Sequence, residues 1–389
     1  VGGAALRTPG ATGFAALGAA LIAVAYGLGR YAFGLFVPPI RAELGLSPDI
    51  VGLVGSLAFV SFVLASLLAP ALADRLGARR AAIAASAVGA AGLALISQAT
   101  GALTLGTGVF ACGVCTGLMM PALAAGVQAT VRPRLQGRVN AVMNAGTSLG
   151  LVICVPAVLL LAGAWRMAYG GFALLAALGL LAAWLLLPSA SRVDAGATRS
   201  AVRAADPERW RELRRLALFG LATGFVSAAF WIFAPDLVVE LGGRAPGTTG
   251  LLWLAAGVAG LAGAWASDMG DGLGPGVTLT AAMGAMAVAL WGMAAAPGQM
   301  APVLLAAAAF GWATMTLSGL YLVTGVRLLP DRPSLGPVLP FVAITVGQAA
   351  GSPAAGWTIA RLGYASAFAI FGALAVGVAL CAALYPRGV

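Results

Sequence analysis

Lysine and histidine are both missing from this 389-residue sequence, whose 22 basic residues are all arginine. Without lysine there is no GxxxxGK(S/T) loop to cradle nucleotide phosphates, which excludes a P-loop ATPase. Without histidine there is no imidazole base, no His-ligated haem and no HExxH zinc site. Charge itself is scarce, at 9% of the residues, against about 25% in an ordinary soluble domain. Hydrophobic residues make up 61% of the chain, more apolar surface than any arrangement in water can bury. The solvent for this sequence is a lipid bilayer.

The net charge of +10 is distributed in short connections between long apolar runs. It does not form one polar face, so no nucleic-acid partner is expected. The four cysteines stand at 112, 115, 154 and 381, all inside apolar stretches. Cys112-Gly-Val-Cys115 is spelled like a redox motif but lacks the soluble βαβ setting of one. It reads as two small packing residues on a helix.

Breaks at Pro, Gly and Arg divide the chain into twelve apolar runs, about 14–38, 50–72, 81–97, 102–129, 139–161, 166–187, 214–236, 248–267, 276–296, 301–326, 335–358 and 364–385. Each approaches the roughly 20 residues that cross a bilayer as a helix. The first run is too long for a signal-peptide core and reads as the first span. The one long polar connection runs from Ser189 to Arg215, and its second part has the composition of a surface amphipathic helix. Seventeen arginines fall in the termini and connections of one side and four (Arg41, Arg166, Arg244, Arg361) on the other. That asymmetry places both termini in the cytoplasm of a multi-pass protein of the plasma (inner) membrane.

An internal repeat divides the chain. Pro38-x4-Glu43-Leu-Gly45 recurs as Pro235-x4-Glu240-Leu-Gly242, and Gly150 and Pro156 recur as Gly347 and Pro353, all 197 residues on. Asp74 has a partner in Asp268 at an offset of 194. The expectation is an all-α membrane protein of two pseudo-symmetric six-helix bundles, residues 1–190 and 213–389, joined by a cytoplasmic linker over 191–212.

After the second span comes Pro70-Ala-Leu-Ala-Asp74-Arg75-Leu-Gly77-Ala-Arg79-Arg80. It resembles the loop 2–3 signature of the major facilitator superfamily, G-x-x-x-D-R-x-G-x-R-R/K, with Pro70 at the first Gly. Trp165-Arg166-Met-Ala-Tyr169 is similar to that superfamily's W-R-x-x-F entry to the sixth helix. Tyr26-Gly-Leu-Gly-Arg30-Tyr-Ala-Phe-Gly34 is similar to the first helix of many bacterial members. The counterpart loop, Asp268-Met-Gly-Asp271-Gly-Leu-Gly, keeps an acid and has no arginine, and span four carries no arginine either. The resemblance implies a secondary transporter working by alternating access, with a small-molecule substrate, no cofactor and no enzymatic activity. The chain is expected to act as a monomer.

Arg30 is the sharpest candidate for a substrate contact. It lies inside the first span, where a charge costs about 2.5–3.5 kcal/mol on insertion scales and marks a pathway or binding site. Tyr26 and Phe33 share its helix face. A guanidinium fork suits a carboxylate or phosphate, which favours a small organic anion; the bland alternative is an arginine bonded to helix carbonyls, with efflux of hydrophobic compounds as the activity. Asn140, Asn144 and Ser148 make a polar stripe in span five that faces either solute or a neighbouring helix. Gln348 invites the same question, and Trp312, Thr316 and Tyr321 line the cavity if span ten faces it. Asp74, Arg75, Gly77, Arg79, Arg80 and Asp268 read as a gate at the cytoplasmic helix ends. A membrane receptor on the same scaffold is the reading of another class. No Asp or Glu falls in the middle of a span, which argues for facilitated diffusion, exchange, or entry of an anion with its own proton.

Overall fold

In the computed structural model, residues 10–188, 207–262, 273–328 and 335–384 are described; they are nearly all helical and include no strand. In chain order the helices are α1 (Ala11–Leu44), α2 (Pro48–Leu76), α3 (Ala78–Ser97), α4 (Ala102–Thr130), α5 (Pro133–Leu161), α6 (Trp165–Leu186), α7 (Pro207–Glu240), α8 (Pro246–Leu261), α9 (Pro275–Ala295) and α10 (Met300–Leu328). The last run, Leu335–Ala383, is bent at Gly363 (φ 80°) into α11 and α12. Nine segments among the described residues are long and apolar enough to cross a membrane. Two of these, Pro133–Leu186 (54 residues) and Leu339–Ala383 (45 residues), are double-length, and Pro246–Leu261 is a shorter apolar helix. Twelve spans fit that inventory.

The expected runs end at 38 and 236, but Pro38, Pro39 and Pro235 all lie inside helices, α1 and α7. Proline's fixed φ is helical, and within a membrane neighbouring helices re-satisfy the carbonyl it frees, so these helices run on to Leu44 and Glu240. The other surprise is at the near end of α7. Its helix starts at Pro207, so the last turns of the polar connection continue straight into the span and are not a separate surface helix.

Glycines set how closely these helices cross. A Cβ built on Gly150 of α5 meets Ala23 O at 2.3 Å and Gly27 Cα of α1 at 2.7 Å. In the second half the same pairing recurs between α7 and α11, where a Cβ on Gly347 meets Leu221 O at 2.0 Å and one on Gly224 meets Ile344 O at 1.9 Å. Gly27 and Gly224 are themselves 197 residues apart, as are Gly150 and Gly347. The repeat is therefore one of contacts, with small residues letting two backbones touch where lipid offers no hydrophobic drive to association.

The loops obey the same offset. Gly77 (φ 79°) and Gly274 (φ 87°) each precede a helix in a backbone conformation closed to side chains. Aligned on these glycines, Asp74-Arg-Leu-Gly77 matches Asp271-Gly-Leu-Gly274. The acid equivalent to Asp74 in that register is Asp271, three residues beyond Asp268; both second-half acids lie outside the described residues.

The described residues cluster into two compact units, the first drawn from Val1–Phe33, Val60–Ala157 and Ala164–Ala201, the second from Gly34–Phe59, Val158–Gly163 and Val202–Val389. In the first, Phe14, Leu17, Leu21 and Ile22 of α1 pack with Leu118, Met119, Leu123 and Val127 of α4 and Met143 of α5. The Cys112 and Cys115 thiols are buried there as packing groups, Cys115 filling the space left by Gly89 of α3. Alkylation with N-ethylmaleimide in detergent is accordingly expected to modify exposed Cys381 and to leave Cys112, Cys115 and Cys154 untouched, as read by peptide mass mapping.

Candidate functional site

From Ala23 to Tyr31 the first helix is π-helical, and Tyr26 and Arg30 stand within that stretch. Such widened turns are rare and are frequently found at functional sites. Gly27 lies against Gly150, where the backbones touch. Two side chains from neighbouring helices serve carbonyls of the widened turn. Thr116 Oγ1 of α4 lies 3.2 Å from Ala25 O, sharing its one proton with Cys112 O at 2.7 Å, and Cys154 Sγ of α5 donates to Gly27 O at 3.6 Å. At lipid depth such donors hold an irregular backbone that water cannot reach.

Arg30 is half-buried, with its guanidinium carbon 4.7 Å from the centre of the Phe62 ring on α2 and 5.7 Å from that of Tyr31. Tyr26 meets Phe62 edge-on at 6.4 Å. The first unit thus brings Arg30 and Tyr26 together around Phe62, a residue that sequence reasoning missed because nothing in one helix reports on its neighbour. Phe33 is buried. On α5, Asn140 is half-buried and Asn144 is exposed.

In the second unit Tyr321 of α10 is fully buried, its hydroxyl 2.7 Å from Thr223 Oγ1 of α7. Thr223 occupies the position 197 residues after Tyr26, so both halves carry a hydroxyl there. Trp312 is half-buried and Gln348 buried. Nearby on these helices, Phe230 stacks on Phe310 at 3.8 Å and on Trp253 at 5.8 Å, with Trp231 edge-on to all three. Thr316 Oγ1 and Trp253 Nε1 are buried without a hydrogen-bond partner among the described residues.

Of the expected gate residues, the described side chains are those of Arg75, Arg79 and Arg80. Arg75 and Arg80 are exposed, whereas Arg79 donates to the Trp184 carbonyl in the last turn of α6. A cation there complements the carbonyl end of a helix. The Asp74 side chain and Asp268 lie outside the described residues. Arg166 does the same work as Arg79 elsewhere: it donates to Ala99 O at 2.6 Å beyond α3 and stacks over Trp165 at 4.2 Å. The Trp-Arg-x-x-Tyr motif is thereby an anchor for the start of α6, with Trp165 and Tyr169 both buried.

A further group had no place in the sequence reading. At the Leu44 end of α1, Arg41 Nε lies 3.0 Å from Asp236 Oδ2 of α7, and its Nη2 pairs with Glu240. Tyr364, opening α12, donates its hydroxyl to the same oxygen, Asp236 Oδ2. The Asp236 side chain has no exposed surface, against 18% for Arg41 and 47% for Glu240. Close by, Ser352 Oγ of α11 donates to Gly52 O of α2 at 2.8 Å. The signal available beforehand was an acid following Pro235 at a helix end, opposite an arginine three residues after Pro38.

Solved structures with the same fold agree across nearly the whole chain. A variant of the nucleoside transporter NupG superposes with a TM-score of 0.80 at 13% identity, covering 95% of this chain and 98% of the other. A bacterial homologue of the human lysosomal transporter Spinster, inward-facing and unoccupied, gives 0.74 at 15% identity, covering 95% of each chain. A D-xylose–proton symporter gives 0.72 at 15% identity, covering 96% and 98%. No curated protein sequence matches. The sequence model of the Major Facilitator Superfamily matches residues 19–333, well over half of the chain, and with the repeat of helices and glycine contacts already described, the chain belongs to that superfamily.

Proposed function

We propose that this chain is a secondary transporter that moves a small organic anion by alternating access, with Arg30 as the anchor for the acid group. The observation that carries the reading is Arg30 itself, half-buried on a π-helical stretch at membrane depth. A permanent cation is retained at such depth when it has work to do, and a planar fork favours carboxylate over other passengers. Tyr26 supplies a hydroxyl beside it. Asn144, an exposed amide within a span, is better accommodated by a water-filled route than by lipid. Tyr321, Trp312 and Gln348 are the second-half candidates for contact, and Phe33 a packing support. The moving bodies are residues 1–190 and 213–389, joined by 191–212, with both termini cytoplasmic in the inner membrane and one chain as the working unit. Asp74, Arg75, Gly77, Arg79, Arg80 and a second-half acid, Asp268 or Asp271, form the cytoplasmic gate.

Efflux of a hydrophobic compound is the second reading, favoured by the aromatic rings around Arg30, which give the guanidinium a structural role through cation–π contact. Uptake into proteoliposomes with a panel of carboxylates separates the two. Arg30→Ala is expected to lower anion uptake about 10- to 100-fold, the loss of one charge-assisted contact, and Arg30→Lys to restore part of it. Unchanged anion transport in Arg30→Ala removes the anchor. Binding without flux in the same vesicles would indicate a receptor.

A further inference from the structure

We propose that Asp236 is a proton-binding site, and that its protonation releases Arg41 and lets the joined helix ends part. This rests on the transporter reading for its purpose, but the site is built from contacts already present. The carboxylate is the one acidic side chain among the described residues with no exposed surface. Three groups face it from three helices: Arg41 at the end of α1, Glu240 one turn on along α7, and Tyr364 at the start of α12. Arg361 is directed elsewhere, over the Trp357 ring at 5.6 Å.

The arrangement is a latch whose strength depends on one charge. With Asp236 ionised, Arg41 spans two carboxylates, one buried and one half-exposed. A proton taken from water onto a carboxylate oxygen of Asp236 yields a neutral acid; Tyr364 can still bond to it, while the ion pair with Arg41 ends. Arg41, itself only 18% exposed, is then left with Glu240, a pair that solvent weakens. A buried cation without its buried counter-ion is the unstable partner of the two, and the relief is for α1 to move Arg41 into water. Arginine cannot release its own proton, so the switch belongs to the acid. If the arginine asymmetry orients the chain as proposed, this latch lies at the outer surface and opens to external acid.

Spin labels on exposed Ala42→Cys and Gln299→Cys, in a Cys381→Ala background in lipid nanodiscs, report the separation of these ends by electron–electron resonance. Between about pH 8 and about pH 4, a window that reaches the range in which aspartates take up their proton, the longer-distance population is expected to rise several-fold. Asp236→Asn should show the long population at both pH values, as should Arg41→Gln, which serves if the first variant does not give monodisperse protein. Glu240→Gln should keep the pH step. An Asp236→Asn protein that retains the step, or an unsubstituted protein with no step, overturns the proposal. The distances are read without any solute, so their failure leaves the transporter reading standing, and absent flux leaves this one standing.

Discussion

Gly150→Val is expected to abolish recovery of monodisperse protein from detergent, as read by size-exclusion chromatography of a fluorescent fusion. At this position even the first carbon of a side chain would lie 2.3 Å from Ala23 O and 2.7 Å from Gly27 Cα. Both are backbone atoms, so no rotamer change relieves the clash; the helices must separate. Overpacking in a well-filled core costs about 1–3 kcal/mol and more where backbone must shift. Separation would also pull Cys154 from Gly27 O and disturb the widened turn that holds Arg30. Gly179→Ala is the matched control, because the atom nearest its added carbon is Leu21 Cδ2 at 3.4 Å, an ordinary contact with a side chain that can turn. Equal melting curves for the two variants would show that α1 and α5 do not depend on this crossing.

Arg41→Met is expected to lower stability by about 3 kcal/mol, near the lower end for removal of one partner of a buried pair because Arg41 is partly exposed. The variant strands the Asp236 carboxylate in a place with no solvent, held by Tyr364 alone. Adding Asp236→Leu should recover most of the loss, since replacing both charges with apolar groups is often neutral or better. Glu240→Gln should cost less than about 1 kcal/mol, as its side chain is half-exposed. Thermal melts of the unsubstituted protein, Arg41→Met, Asp236→Leu and the double variant close a double-mutant cycle; a double variant no more stable than Arg41→Met would mean that the stranded carboxylate is not what the first variant loses.

The architecture was legible because it is written redundantly. Hydrocarbon thickness dictates the length of each apolar run, and a constant offset of 197 residues ties Pro38 to Pro235 and Gly150 to Gly347. The structure extends that offset to Gly27 with Gly224 and to Gly77 with Gly274, where close backbones and left-handed turns require the absence of a side chain. Helix ends were less legible, since proline breaks helices in water but is carried within them in a membrane, as at Pro38 and Pro235. Arg30 announced itself by charge alone. Its ring partner Phe62, 32 residues away, could not, because one more phenylalanine in an apolar run has no local signature. Asp236 counted only as one of the acids that stand away from the middle of a span. Burial under Arg41 and Tyr364 is a property of three helices together and appears in none of them singly.

The extra residue held in each turn of Ala23–Tyr31 has a mechanical corollary. An α-helix advances about 100° per residue, so tightening one wide turn into an ordinary one would swivel every side chain on one flank by about that angle relative to the other. Arg30 could thus be re-aimed by a slip of hydrogen-bond register, with no unpaired amide stranded in hydrocarbon and no bodily tilt of the helix.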